Sequence, residues 1–166
     1  PQYDISNITL AGGGQFLIWT SNQDGYSVLH GINLATGKAL ATPELIPGVY
    51  SLSAAVTAAK VAVKISGPTS PGDVFVWDIA NNTIANPVQS SLAGIDPATL
   101  QAPKSLRYPA QDGVELQGLL YEPVADKTVS KYPVVVVVHG GPTAQSRPGF
   151  RRVEQYFVNQ GVAVFS

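Results

Sequence analysis

Five consecutive valines, Val134–Val138, run directly into His139, Gly140, Gly141 and Pro142, and this junction is where the chain is equipped for chemistry. Two adjacent glycines leave the main chain bare, so a reacting group can come within hydrogen-bonding distance of backbone N–H groups. Such donors suit the stabilisation of an oxygen that gains negative charge when a carbonyl is attacked. His139 could be a catalytic base, but a histidine that ends a strand is better placed to brace the loop through its ring nitrogens, with Pro142 stiffening the exit. A phosphate cradle is disfavoured: HGGPTAQSRPG matches neither G-x-G-x-x-G nor G-x-x-x-x-G-K-[ST], and Pro142 removes a donor. A tight turn without chemistry is the plain alternative.

The remaining nucleophile and base candidates fall short. No G-x-S-x-G is present, and Ser66, Ser70, Ser90, Ser91 and Ser146 read as turn or cap residues. The second histidine, His30, sits in a strand-like stretch and reads as a surface or channel-facing residue. A Ser-His-Asp triad therefore cannot be completed within these 166 residues.

The elements that would hold the glycine loop can be read from the rhythm around it. A β-branched run without polar alternation predicts a strand covered on both faces, as in a parallel sheet flanked by helices. Residues 148–161 place Phe150, Val153 and Phe157 at spacings of three and four between Pro148 and Gly161, which predicts an amphipathic helix with start and stop signals. Residues 162–166 resume as a strand, so strand, helix and strand form a parallel crossover. Upstream, Asp112-Gly113 between two extended runs predicts a two-residue hairpin turn, with Val114, Leu116, Gly118 and Leu120 on one covered face. Asp126, Lys127 and Lys131 mark a solvated loop.

Residues 1–100 have a different rhythm: short strands punctuated by Asp24-Gly25, Thr36-Gly37, Pro47-Gly48, Pro71-Gly72 and Asn81-Asn82. An offset of 45 lays GQFLIWT (14–20) over AKVAVKI (59–65) and NLATG (33–37) over DIANN (78–82). A period of this size built from short strands predicts propeller blades, here about two, and each blade must stack on neighbours to cover its faces. Two unrelated meanders in a sandwich are the alternative. The strand rhythm stops in the proline-containing stretch 93–105, which sets the expected boundary between residues 1–100 and 101–166. The fold class is thus mixed: terminal β-propeller blades followed by the beginning of an α/β unit.

Composition narrows the classes of partner. The net charge is -1, and Arg151-Arg152 is the one adjacent basic pair, so nucleic acid is not expected as a partner. Cysteine is absent, which removes disulfides, thiolate metal sites and cysteine nucleophiles; no metal or cofactor is called for. The apolar runs are far shorter than the roughly 18 residues of a spanning helix, so no membrane partner is expected. Low charge with many Ser, Thr, Asn and Gln leans towards a periplasmic or secreted protein. Methionine is absent and the first residue is Pro1, which suggests a window on a longer chain. Its cut edges would then need cover from an oligomer or from the remainder of that chain.

The succession SLRYPAQDGVELQGLLYEP, YPVVVVVHGGPTAQ and VEQYFVNQGVAVFS resembles the start of the hydrolase domain in the prolyl oligopeptidase family of serine peptidases, particularly its dipeptidyl-peptidase and acylaminoacyl-peptidase branches. In that family a β-propeller precedes an α/β-hydrolase domain. The resemblance implies that the N–H of Gly141, supported by Gly140, lines the oxyanion side of the active site. It also implies that nucleophile, acid and base lie beyond residue 166, that the substrate is a short peptide, and that the chain alone is inactive. His139 stands where some relatives carry a tyrosine whose hydroxyl is a donor. Two other readings compete: a noncatalytic propeller scaffold, suggested by the Trp77-Asp78 dipeptide of WD repeats, and an esterase of the same fold.

Overall fold

The computed structural model describes residues 2–124 and 131–166. Asp126 and Lys127 of the expected solvated loop lie outside the described residues, and Lys131 is exposed. The first antiparallel sheet has the order β1 (Ile5–Ala11), β2 (Phe16–Gln23), β3 (Tyr26–Asn33). The second follows as β4 (Val49–Ala54), β5 (Lys60–Gly67), β6 (Ser70–Asp78), β7 (Thr83–Val88), again paired in sequence order.

The 45-residue offset has a structural counterpart. Phe16, Ile18 and Thr20 of β2 are buried, and so are Val61, Val63 and Ile65 of β5, one offset later. Strand alternation sends these residues to one face, where both sheets share a core with Leu29, Tyr50 and Trp77. Each fully buried Val, Ile, Leu or Phe of this core contributes about 1.5–3 kcal/mol on burial, whereas Thr20 Oγ1 is satisfied by Ser6 O. The turns coincide as well: Gly37 and Asn82 both have positive φ, 68° and 49°. Asn33 and Asp78 each accept a backbone N–H two or three residues on, from Ala35 and Asn81. Trp77 is packed in this core with its indole N–H directed at Asn82 Oδ1 (3.3 Å), so the Trp-Asp dipeptide has a packing and turn role.

The two-residue hairpin turn is found at Asp24-Gly25, where Gln23 pairs with Tyr26 and both turn residues have positive φ, 51° and 87°. This is the backbone of a type I′ turn. Asp112-Gly113 differs from expectation: Pro109 pairs with Glu115, and Gly113 N–H closes a turn onto Ala110 O, giving a longer, bulged connection. Pro71-Gly72 also differs, lying inside β6; the chain reverses one step earlier, between Gly67 and Ser70.

A 3-10 turn at Pro97–Thr99, capped by Asp96, leads into a third sheet of β8 (Lys104–Pro109), β9 (Glu115–Tyr121), β10 (Val134–Val136) and β11 (Ala163–Phe165). Its order is β10-β11-β9-β8, with β10 and β11 parallel and joined through α1 (Arg152–Asn159). Leu119, Tyr121, Val158 and Val164 form its core, so β9 buries Leu119 and Tyr121 while Val114 and Leu116 are exposed. On the face expected from the Val114–Leu120 alternation Gly118 is buried and Leu120 partly so, but the core contacts come from Leu119 and Tyr121 on the other face.

Two further expectations are corrected here. Among the described residues β10 stands last in the sheet order and is not covered on both faces as expected: Val134, Val136 and Val138 are 54%, 64% and 82% exposed. The helix starts at Arg152, because Gly149 and Phe150 are docked on the second sheet, where Phe150 N–H donates to Ser66 Oγ at 2.9 Å. Its buried face carries Glu154, Gln155 and Val158, while Val153 is 60% exposed.

Candidate functional site

The His-Gly-Gly loop begins where the parallel pair β10–β11 ends, the position at which open α/β sheets form ligand crevices. The ladder continues one step past β10, with Val137 N–H donating to Phe165 O at 2.8 Å, and then the loop leaves the sheet. Among the described residues, neither Gly140 N–H nor Gly141 N–H is donated to another group of the chain, and both residues are exposed. Gly141 has φ of 139°, a conformation that favours glycine, and a Cβ there would lie 3.0 Å from Thr143 N.

His139 Nδ1 lies 3.0 Å from Gly140 O. A carbonyl oxygen can only accept, so the contact requires the proton on Nδ1 and leaves Nε2 of the neutral ring as an acceptor. The imidazole thus contacts the carbonyl of the Gly140–Gly141 peptide. Pro142 is exposed.

A cavity of about 330 Å³ opens beside this junction, lined by His139, Gln145 and Ser146 from the loop, Val136 and Val138 from the valine run, and Phe165 from β11, among others. Ser166 Oγ donates to Ser146 Oγ across 2.9 Å. The Phe165 ring fits because position 118 is glycine; a Cβ on Gly118 would stand 2.2 Å from it. Tyr108 closes the same side, its ring 5.6 Å from that of Phe165.

The other candidate nucleophiles have structural partners. Ser66 Oγ accepts from Phe150 N–H, Ser90 donates to Asp73, and Ser91 accepts from Ala93 N–H. Ser70 Oγ is buried beside the Asp73 carboxylate and is one of the groups that lower its pKa. His30 stacks on Trp19 and lies 2.8 Å from the buried Ser21 Oγ, a cross-strand contact remote in sequence from the glycine loop.

Sequence reasoning missed the residues that attach the loop and its sheet to the first blade-like sheet. Arg147 Nε donates to Gly25 O at 2.8 Å and its Nη2 to Ser27 Oγ at 3.1 Å. Burial lowers the Arg147 pKa from its ordinary value. Asn22 Nδ2 donates to Gln145 Oε1 at 2.7 Å. Arg107 spans Glu115 at 2.8 Å and Asp24 at 2.5 Å, and these partners, Glu115 foremost, raise its pKa. Gln117 Nε2 adds a bond to Asp24 O. These partners are 83 or more positions apart in sequence for every contact to the turn, so no local pattern could announce them.

No protein-family model matches the chain. The Bacillus subtilis (strain 168) protein described as uncharacterized peptidase YuxL is 22% identical over 151 residues, spanning 83% of this chain and 22% of that protein. A Mycobacterium tuberculosis puromycin-hydrolyzing peptidase superposes with a TM-score of 0.77 at 20% identity over 96% of this chain and 25% of its own. Prolyl oligopeptidase B from Galerina marginata superposes with a TM-score of 0.85 at 14% identity over 98% of this chain and 23% of its own. The chain thus spans about a quarter of the length of these proteins. Along almost its whole length the chain is similar to peptidases of the prolyl oligopeptidase family, and it has their fold at the corresponding segment.

Proposed function

We propose that this chain is part of a serine peptidase of the prolyl oligopeptidase family. In this reading residues 1–100 are terminal propeller blades and residues 101–166 are the N-terminal part of an α/β-hydrolase domain. The chain supplies an oxyanion loop, and the nucleophile, acid and base come from outside it. The supporting observation is the pair of exposed, undonated N–H groups at Gly140 and Gly141, set beside a cavity at the end of a parallel strand pair. Preorganised backbone donors in that place stabilise the tetrahedral intermediate of acyl transfer by several kcal/mol, roughly 2.7–4 for one donor.

In the whole enzyme a serine hydroxyl attacks the carbonyl of a short peptide. The carbonyl oxygen takes the negative charge and is met by Gly141 N–H, with Gly140 beside it. Collapse of the intermediate expels the amine and leaves an acyl-enzyme that water hydrolyses. Dipeptidyl or acylaminoacyl specificity is the finer form of the proposal, and it rests on the motif resemblance. A propeller upstream would restrict entry to short substrates.

The test compares the 166-residue chain with the complete gene product in fluorophosphonate labelling and aminoacyl-nitroanilide hydrolysis. Labelling and turnover are expected in the complete protein and neither in the 166-residue chain. A complete protein that takes no label and cleaves neither anilides nor esters would favour the noncatalytic scaffold; ester cleavage alone would make it an esterase.

A further inference from the structure

The loop from His139 to Arg147 is anchored at its two ends by two different sheets. At the start, Val137 N–H is held by Phe165 O of the third sheet. At the end, the β2–β3 hairpin of the first sheet takes hold: Arg147 reaches Gly25 O and Ser27 Oγ, and Gln145 accepts from Asn22, while Ser146 Oγ between them accepts from Ser166 Oγ at the end of β11. Between these anchors Gly140 to Ala144 are exposed, and among the described residues the hydrogen bond inside that span is the one from His139 to Gly140 O. The span therefore takes its path from its ends.

The grip of Arg147 is specific in geometry. A guanidinium offers donors in a fixed planar fork, so two acceptors at set positions define the direction of the side chain, which a single ammonium donor cannot do. The acceptors are themselves fixed. Gly25 is buried in a type I′ turn whose amide is capped by Asn22 Oδ1 at 3.0 Å, and Ser27 Oγ also receives Tyr50 N–H at 3.0 Å. Pro148 then abuts Gly25, where an added Cβ would approach Pro148 Cδ to 3.0 Å.

We infer that Arg147 is a positioning residue for the candidate oxyanion loop: by tying the loop's exit to the β2–β3 turn, it makes the aim of Gly141 N–H depend on the first blade-like sheet. The inference rests on the peptidase reading above. It assigns the β2–β3 turn a role in the chemistry although no residue of that turn lines the cavity.

The experiment uses the complete gene product, with active sites counted by exhaustive fluorophosphonate titration so that unfolded protein drops out of the rate. For Arg147→Ala, kcat per titrated site is expected to fall about 10- to 100-fold, less than or comparable to the loss of a whole oxyanion donor. KM is expected to stay within about threefold, because the lost stabilisation belongs to the transition state. Arg147→Lys keeps the charge and one of two hydrogen bonds, and is expected to recover part of kcat, to within about tenfold of the parent. If Arg147→Ala does not accumulate, the lysine variant carries the test: a kcat per site equal to that of the parent overturns the inference. So does an alanine variant with kcat per site within about twofold of the parent, or one whose loss lies in KM alone. Absence of label in the unsubstituted protein overturns the peptidase reading and this inference together, whereas label with unchanged kcat overturns the inference only.

Discussion

Gly118 and Tyr121 lie three residues apart on β9 and make opposite demands on the third sheet. Gly118 is required by the absence of a side chain: the Phe165 ring occupies the space a Cβ would take. Gly118→Ala should therefore destabilise by about 1–3 kcal/mol through overpacking, read as a lower denaturation midpoint, and Phe165→Leu in the same background should restore part of it. Tyr121 is fully buried, and its hydroxyl has no partner among the described residues. Burial, reinforced by Glu154, pushes its pKa from 10.0 up to about 12. The folded state therefore prefers the protonated phenol. Its contribution is complete below the unfolded pKa near 10 and is lost as the pH rises through about 12. Tyr121→Phe should flatten the fall in stability across that alkaline window, and at neutral pH should be neutral or stabilising by about 1 kcal/mol, since it removes an unpaired polar group. Urea titrations at pH 8 and at stepwise higher pH separate these effects.

Helix α1 shows where periodicity carries information and where it does not. The spacing of Phe150, Val153 and Phe157 gives a helix in the right place but rotates it wrongly. Its inward face carries Gln155, which bonds Gln101 N–H at 2.9 Å, Gln101 O at 2.7 Å and Pro68 O at 3.1 Å. A buried amide that serves three backbone groups looks, in one dimension, like an exposed polar residue. Gln155→Leu should cost about 2–4 kcal/mol because those groups lose their partner, while Val153→Lys should change stability by less than about 0.5 kcal/mol; thermal melts of both variants decide the phase. The blade-like sheets were legible for the opposite reason, since alternation and turn chemistry are local. The 45-residue offset and the Asp24-Gly25 turn follow from neighbouring residues alone. The valine run was legible as a strand, whereas its place at the end of the sheet order of the described residues depends on pairing, which no local pattern encodes. At the candidate site the glycines stood out by type, and Arg147 did not, because its partners lie 120 and 122 positions away.

Across the molecule, large apolar side chains remain exposed at both ends of the sheet succession: Ile5, Ile8 and Leu10 on β1, and Val134, Val136 and Val138 along the valine run. β10 also presents an unpaired strand edge among the described residues. Surfaces of this kind pair with other chains. The 166-residue chain by itself should self-associate and bind a hydrophobic dye, as measured by light scattering after size exclusion and by ANS fluorescence. A monodisperse, dye-silent monomer would contradict the division into blades and a hydrolase segment. The hold of Arg147 on the β2–β3 turn has a further consequence in time. Gly25 precedes Arg147 by 122 positions, and at translation rates of about 5–20 residues per second the hairpin emerges from the ribosome roughly 6–24 s before the arginine that grips it. The nascent hairpin is thus already available as a template when the glycine loop is born, so vectorial synthesis favours the docked arrangement over any order in which the loop must wait for its anchor.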